Sequence, residues 1–313
     1  MKMDKNLYIS AGRYKTCQGI FENLAEIPYA VIKGEPLSML AYGSYGKRSS
    51  TDIDILLPKS YLDQVKGILH DCGFQSTERS RVDRITLLNY SHQIAPWIKG
   101  TRFYGSVMID LNFDIFWGEY DGTRIDLNYF LKDTEYMDIY SCKVKTLCLY
   151  KQLIVLCLHD YKDLNSIFLI ARQNRIDKRM FADIYNLIQN NREEIDILDF
   201  RKMCENLHIK HFVYYVLYYT KQIFSSEFIE RLTRYLEDDE GNKLLNCYGL
   251  NERERKVWKY DFGTRINSEC LFDLIRSDLD EADYRKLELN KQIFGDGNNE
   301  KNFKREINGI SDF

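Results

Sequence analysis

The sequence predicts an α+β protein in which a mixed β-sheet domain comes first and an α-helical domain follows. Up to about residue 140, short runs rich in β-branched and aromatic residues surround a single long helical pattern. From about residue 143, apolar residues recur with the period of an α-helix. These patterns predict a sheet domain at 1–142, a helical domain at 143–295 and a polar tail at 296–313.

The predicted strands of the first half are bounded by turn-forming residues. "PYAVIKG" is interpreted as a strand that ends at Gly34, and "STDIDILLP" as a strand that ends at Pro58. Between them, "EPLSMLAYG" is interpreted as a short helix or turn, and "SYLDQVKGILHDCGF" then follows as the long helix. "RITLLNY" and "SVMIDLNFDIFW" are predicted to be further strands, whereas "EDDEGNK" at 237–243 is predicted to be an exposed loop.

Composition narrows the classes of function. The net charge of −3 lacks the basic excess of a protein that binds long nucleic acids. The eight cysteines have no CxxC spacing, which favours reduced thiols in a cytoplasmic protein over disulfides or a zinc site. The most apolar stretch, "TLCLYKQLIVLCLH", is interrupted by Lys151 and Gln152 and is too short to cross a bilayer. We therefore expect a cytoplasmic location and no membrane partner.

Two aspartates one residue apart lie beside a strongly apolar run. In a strand, residues i and i+2 point to the same face, so Asp52 and Asp54 are predicted to project together. Two such carboxylates repel each other, and a divalent cation removes that cost. Hard oxygen ligands suit Mg²⁺, which also keeps water and substrate phosphates in its shell. The pair therefore predicts a magnesium site.

A third acid lies in the alternating run "SVMIDLNFDIF". Asp110, Asn112 and Asp114 share one face of this predicted strand, and the apolar residues share the other. If the strand lies next to that of Asp54, Asp110 completes a cluster of three carboxylates for two metal ions about 3.5–4 Å apart. Asp114 is either a fourth acid near the metal ions or a solvent-exposed residue.

The residues around the aspartate pair favour a phosphate ligand. Arg48 lies just upstream and can neutralise a phosphate with two parallel hydrogen bonds. Lys33-Gly34 lies where a strand is predicted to end and a helix to begin, which allows close approach of backbone N–H groups to a phosphate. The alternative is that Asp52 merely caps the strand and Asp54 faces solvent.

These motifs together resemble a known family. "IKGEPLSMLAYGSYGKRSSTDIDILL" resembles the Lys-Gly … Arg … Asp-x-Asp signature of the uncharacterised nucleotidyltransferases within the DNA polymerase β-like superfamily. "HQIAPWIKG" and "VMIDLNFDIFW" resemble the family's paired strands with the third acid, and the resemblance covers roughly residues 25 to 225. It implies a nucleotidyltransferase-type mixed sheet domain followed by an α-helical domain.

The resemblance also implies roles for the acids. Asp52 and Asp54 match the family's metal-binding pair. Asp110 matches the third acid, which binds metal and accepts the proton of the attacking hydroxyl. The family often has histidine two residues after the third acid, whereas this chain has Asn112.

Two registers remain for the Gly-Ser motif of the superfamily. Lys33-Gly34 matches the equivalent turn, and Arg48 matches the arginine that precedes the aspartate pair. Gly43-Ser44 is a literal Gly-Ser, but its gap to the aspartate pair is short for an intervening helix. We favour Lys33-Gly34, with Gly43-Ser44 in a loop close to the phosphates.

The function implied is transfer of a nucleoside monophosphate from an NTP to an acceptor hydroxyl, with release of pyrophosphate. Two Mg²⁺ ions are expected, with ATP as the expected nucleotide. The acceptor is a small molecule, a protein or an RNA end, and the net charge disfavours long nucleic acid. The alternative is a catalytically weak protein of the same fold that binds a nucleotide or a partner.

Overall fold

The computed structural model describes residues 5–48, 50–118, 120–173 and 175–294. They divide into two compact units. The first comprises residues 5–118 and 124–155, and the second comprises residues 120–123 and 156–294. The polar tail predicted at 296–313 lies outside the described residues.

Seven strands of the first unit form one mixed sheet. They are β1 (Ala30–Ile32), β2 (Ile53–Leu56), β3 (Gln75–Ser76), β4 (Trp97–Thr101), β5 (Gly105–Asn112), β6 (Thr134–Ile139) and β7 (Cys142–Leu147). Their spatial order is β3-β4-β5-β2-β1-β7-β6. The pairs β2–β5 and β1–β7 are parallel, and the other pairs are antiparallel. The predicted α+β class with a mixed sheet is confirmed.

The helices of the first unit are α1 (Lys5–Asn23), α2 (Gly34–Tyr42), α3 (Leu62–Asp71), α4 (Arg81–Tyr90) and α5 (Leu127–Phe130), with a 3₁₀ turn at Lys59–Tyr61. Helices α1 and α3 cover one face of this sheet, and the opposite face carries both the acids and buried apolar residues such as Ile32 and Leu56. Apolar residues of α1 and α3 pack with Ile53 and Ile55 of β2 and with Ile109 and Leu111 of β5 in one buried core. Because strand side chains alternate, the residues between these apolar ones point away from that core.

Three local assignments differ from the sequence-based predictions. The segment "RITLLNY" is not a strand but part of α4, which begins where Ser80 Oγ accepts a hydrogen bond from Asp83 N at 3.1 Å. Helix α1 was not predicted. Strand β7 extends the sheet to Leu147, so helical structure resumes only at Leu149.

The second unit is built mainly of helices. Helix α6 (Leu149–Asn165) begins in the first unit, and the following elements are α7 (Ile167–Gln173), α8 (Arg179–Asn190), α9 (Ile197–Asn206), α10 (Lys210–Ile223), α11 (Glu227–Leu236), α12 (Asp239–Leu244), the hairpin β8 (Cys247–Tyr248) and β9 (Lys256–Val257), α13 (Phe262–Ile266), 3₁₀ turns at Leu271–Leu274 and Arg276–Asp278, and α14 (Glu281–Phe294). The loop predicted at 237–243 is largely α12, capped by Asp238. The aromatic run of α10 packs inside this unit, where Tyr161 contacts Phe212 and Tyr215. Among the described residues, no helix is both long and apolar enough to cross a lipid bilayer.

Two glycines of the first unit are expected to respond oppositely to alanine. A Cβ on Gly118 would lie 2.1 Å from the backbone of Tyr90 and 2.5 Å from Ser91 N, and backbone cannot move aside cheaply. A Cβ on Gly19, inside α1, would meet nothing within 4 Å. Gly118→Ala is therefore expected to lower the free energy of unfolding by about 1–3 kcal/mol, and Gly19→Ala to raise it by about 0.5–1 kcal/mol. Urea denaturation measures both; equal changes in the two variants would contradict the close approach at Gly118.

Candidate active site

The second and third predicted acids lie next to each other across two strands. Strand β2 pairs in parallel with β5, and Asp54 is the register partner of Asp110. Their neighbours Ile53 and Ile109 are also partners and belong to the core. Because side chains alternate along each strand, both aspartates occupy the sheet face opposite to that core. The strand adjacency that the sequence analysis required is therefore present, and Asp110 is 8% exposed.

Asp52 was predicted to lie in the strand with Asp54, but it lies just before β2, where a nearby serine holds it. Ser50 Oγ lies 2.9 Å from both the main-chain carbonyl oxygen and Oδ1 of Asp52 and donates to them. Asp52 is half-buried, and its negative charge raises the pKa of Asp54. The two carboxylates of the Asp-x-Asp pair are therefore close enough to repel each other.

The pKa of Asp54 depends on several of the other predicted site residues. Desolvation by the surrounding protein is the largest influence and raises the pKa of this half-buried carboxyl group. The positive charge of Lys33 lowers the pKa, the charge of Asp52 raises it, and a hydrogen bond from Asn112 and the charge of Arg48 lower it. Lys33, Arg48 and Asp52 therefore all act on one carboxylate, which is the electrostatic centre of the site.

The Lys33-Gly34 turn has an unusual backbone. Strand β1 ends at Ile32, and α2 begins at Gly34. Lys33 has φ 58° and ψ −144°, and Gly34 has φ 47°. Positive φ is easy for glycine but costs energy at lysine, and such strain concentrates at functional sites. The turn places Lys33 directly before the amino terminus of α2, the helix end that attracts anions.

The rival Gly43-Ser44 pair lies at the opposite end of the same helix. Gly43 is the left-handed residue that terminates α2, with φ 69°, and its N–H donates to the carbonyl oxygen of Met39 at 2.8 Å. The carboxyl end of a helix carries partial negative charge, which repels phosphate. This geometry favours Lys33-Gly34 as the phosphate turn, and contact of Ser44 with a phosphate stays a prediction.

Sequence reasoning missed Arg13, which lies on α1. Its guanidinium Nη1 donates to the carbonyl oxygen of Ser50, next to Asp52. Burial lowers the pKa of Arg13, and the negative charges of Asp52 and then Glu35 oppose that shift. A signal was available, because Tyr14, Cys17, Phe21 and Leu24 recur at helical spacing and predict a helix there.

Asp114 forms contacts within the turn that follows β5. Its Oδ1 accepts a hydrogen bond from Phe116 N at 2.9 Å, and Arg124 forms an ion pair with the same carboxylate. Arg124 also donates to the carbonyl oxygen of Gly118 at 2.9 Å. These contacts close the turn after β5, and a role of Asp114 as a fourth acid near the metal ions stays a prediction.

Comparison with known protein families assigns the chain to one of them. A family model described as "Uncharacterised nucleotidyltransferase" matches residues 11–225, more than half of the sequence. The chain belongs to this family. The match includes the whole seven-stranded sheet and begins within α1, so the nucleotidyltransferase-type fold is confirmed over a longer segment than the motifs alone covered. No curated protein matches the chain.

Asn112 lies on β5, two residues after Asp110. Its side-chain Nδ2 donates to Asp54 Oδ1 at 3.2 Å and approaches the main-chain oxygen of Asp110 at 3.4 Å. The residue in the place of the resembled family's histidine therefore contacts the central carboxylate directly. Since an amide does not ionise, this contact orients Asp54 without adding a charge that depends on pH.

The three acids of the candidate site do not surround a metal position by themselves. Within the described ranges, no group of three or more His, Cys, Asp or Glu side chains is arranged to hold a metal ion by itself. Magnesium in phosphate-transferring sites is commonly held by one or two carboxylates, with water and substrate phosphates as the other ligands. The oxygen donors of Asp52, Asp54 and Asp110 fit that chemistry, and their role as metal ligands stays a prediction.

Proposed function

We propose that this nucleotidyltransferase moves a nucleoside monophosphate from a magnesium-bound NTP to an acceptor hydroxyl and releases pyrophosphate. One observation carries the proposal: Asp54 and Asp110 are register partners on adjacent parallel strands, and Asp52 lies two residues before Asp54. Lys33 and Arg48 act electrostatically on the same Asp54. Acids beside cations at a helix amino terminus are the parts that a phosphoryl-type transfer requires.

A magnesium ion would be held by Asp52, Asp54 and Asp110. When bound, it would supply positive charge to the phosphate oxygens during an in-line displacement. The donor set supports this choice because all three ligands are hard carboxylate oxygens. Desolvation and the charge of Asp52 both disfavour the ionised form of Asp54, and a cation at this position would offset that cost.

The chain's own residues then bind and orient the reactants. Lys33 and the amino terminus of α2 attract the phosphates, and Arg48 neutralises a further oxygen pair. Asp110 accepts the proton of the acceptor hydroxyl. The hydroxyl oxygen forms a bond to the α-phosphorus, the bond between that phosphorus and the pyrophosphate oxygen breaks, and pyrophosphate leaves with the electron pair. The work required of the protein is mainly positioning and charge neutralisation.

A second candidate is a catalytically weak member of the family that binds a nucleotide or a partner. The observation that favours it is Asn112, whose amide hydrogen bond occupies one oxygen of Asp54. A protein of this kind would bind an NTP without releasing pyrophosphate. Fold does not decide between the two candidates, because one fold can support both.

The proposal is tested by pyrophosphate release. Purified protein is incubated with Mg²⁺ and each of the four NTPs, with ATP as the expected substrate, and with small-molecule, protein and RNA-end acceptors. Thermal-shift titration of each NTP with and without Mg²⁺ measures binding in parallel, because a ligand of the native state raises the Tm. Pyrophosphate release that requires Mg²⁺ supports the enzyme, and NTP binding without release supports the second candidate. A protein that neither releases pyrophosphate nor binds an NTP would contradict both candidates. The cytoplasmic location and the exclusion of long nucleic acid stay predictions.

A further inference from the structure

The loop that carries Arg48 is fastened to α2 by a buried serine. Ser38 Oγ accepts hydrogen bonds from the main-chain N–H groups of Lys47 and Arg48, both at 3.1 Å, and donates to the carbonyl oxygen of Ser44 at 2.9 Å. A serine hydroxyl has one donor and two acceptor positions. These three bonds therefore use the full hydrogen-bonding capacity of Ser38, and all of them go to the loop 44–48.

Glu35 provides a second attachment one turn earlier in α2. Its Oε2 accepts a hydrogen bond from Gly46 N at 2.9 Å, and its Oε1 accepts one from the hydroxyl of Ser10 on α1. Glu35 is only 2% exposed. A buried carboxylate is costly unless its oxygens are hydrogen-bonded, and here the loop and α1 satisfy them.

These attachments limit how the loop can meet a phosphate. The N–H groups of Gly46, Lys47 and Arg48 already donate to Glu35 or Ser38. The loop therefore does not offer these groups as a backbone cradle of the kind that surrounds phosphates in nest-like sites. What it can offer to an anion is the side-chain charge of Lys47 and Arg48.

Helix α2 thus connects two separate parts of the site. Its amino terminus carries the Lys33-Gly34 turn, and Ser38 lies four residues after Gly34, about 6 Å further along the axis. Ser38, about one helical turn beyond Gly34, accepts the hydrogen bond of the Arg48 N–H, whereas Lys33 directly precedes the first residue of the same helix. A rigid helix with side-chain attachments to the loop fixes the spacing between them.

We propose that Ser38 and Glu35 are positioning residues that hold the Arg48 loop at a fixed distance from the Lys33-Gly34 turn. The two cations are then preorganised for one triphosphate before the nucleotide arrives. This inference rests on the proposed function, since the ligand is the same NTP. Neither residue touches the substrate, and both act through the loop.

The main test is Ser38→Ala, which removes three hydrogen bonds and is compatible with a helix. We expect the dissociation constant of Mg²⁺-ATP, measured by calorimetry, to rise about tenfold because the loop loses its fixed position. Amide hydrogen exchange at Lys47 and Arg48 is expected to accelerate. If Ser38 acts through Arg48, adding Ser38→Ala to Arg48→Ala should change the dissociation constant no further. Ser38→Cys keeps a similar volume with a weaker acceptor and should give an intermediate affinity.

Ser166→Ala is the matched control. Ser166 is a buried serine of the second unit whose Oγ accepts one main-chain hydrogen bond, from Leu169 N at 3.3 Å. Ser166→Ala should lower the Tm without changing the affinity for ATP or the amide hydrogen exchange at Lys47 and Arg48. A wild-type protein that binds no NTP would contradict the proposed function and this inference with it. A wild type that binds ATP while Ser38→Ala binds it equally well, or effects that add in the double variant, would contradict the positioning role alone.

Discussion

Asp54→Asn is expected to lower nucleotidyl transfer by roughly 10³-fold or more while the protein stays folded. Asparagine keeps the shape of the side chain and can still accept the hydrogen bond of Asn112. It removes the negative charge on which the proposed metal site depends. Asp54 is the group on which Lys33, Asp52 and Arg48 all act, so its charge is central to the proposed site. The measurement is pyrophosphate release under saturating Mg²⁺ and NTP.

Stability should change in the opposite direction from activity. Desolvation is the largest influence on Asp54 and raises its pKa, so the ionised form is less favourable in the folded protein than in the unfolded chain. The neutral asparagine avoids that cost, and the free energy of unfolding is expected to stay equal or to rise by about 1 kcal/mol. Urea denaturation at pH 7 without metal measures this change. A variant that loses activity because it is unfolded would show the reverse.

An exposed aspartate of the same unit provides the control. Asp63 on α3 forms an ion pair with Lys66 at 2.8 Å, and such surface pairs contribute little to stability. Asp63→Asn should therefore retain wild-type turnover. If Asp54→Asn kept more than about a tenth of the wild-type rate, the assignment of Asp54 to the reaction would be wrong, since removing a group on which the reaction depends costs far more than tenfold.

The acids were predictable from sequence because their geometry is local. Alternation along β2 and β5 places Asp54 and Asp110 on the face opposite to the apolar residues beside them, and Asp52 lies just before β2. Only the adjacency of the two strands required an assumption, and the parallel pairing of β2 with β5 supplies it. The confirmed fold class rests on the same kind of local pattern.

The supporting residues were not predictable because their contacts join distant parts of the chain. Arg13 meets Ser50 across 37 positions, and Ser10 meets Glu35 across 25. No periodicity encodes such pairs, and they follow only once α1 is packed against the sheet. Helix α4 was mispredicted for another reason: "RITLLNY" has the composition of a strand, but the cap at Ser80 begins a helix whose residues include none that are fully buried.

Lys33→Gly is expected to abolish most activity and yet to stabilise the protein. Lys33 has φ 58° and ψ −144°, a conformation that costs a residue with a Cβ of order 1–3 kcal/mol. Glycine adopts it without that cost but loses about 0.5–1 kcal/mol of backbone entropy on folding. The change in backbone conformation alone is therefore expected to raise the free energy of unfolding by about 1 kcal/mol. The lost ammonium group is expected to reduce turnover by about 10²-fold, as for other groups that stabilise charge in the transition state.

Lys33→Ala separates the effect of backbone strain from the effect of the lost lysine charge. Alanine removes the ammonium group but keeps the Cβ, so it should lose the same activity as Lys33→Gly without the gain in stability. Comparing the two variants by urea denaturation therefore isolates the strain, because the effect of the lost lysine charge on Asp54 is common to both. A glycine variant no more stable than the alanine variant would show that the turn is not strained.

His208 provides a matched control for the strain without the function. It also has a positive φ, 56°, and lies in the second unit between α9 and α10. His208→Gly should be more stable than His208→Ala for the same backbone reason, and neither should change turnover. If strain is relieved at both positions but activity falls only at Lys33, the cost of the Lys33 conformation is tied to the site. A lysine would then be retained there, against its backbone preference, because its charge is needed beside Asp54 at the start of α2.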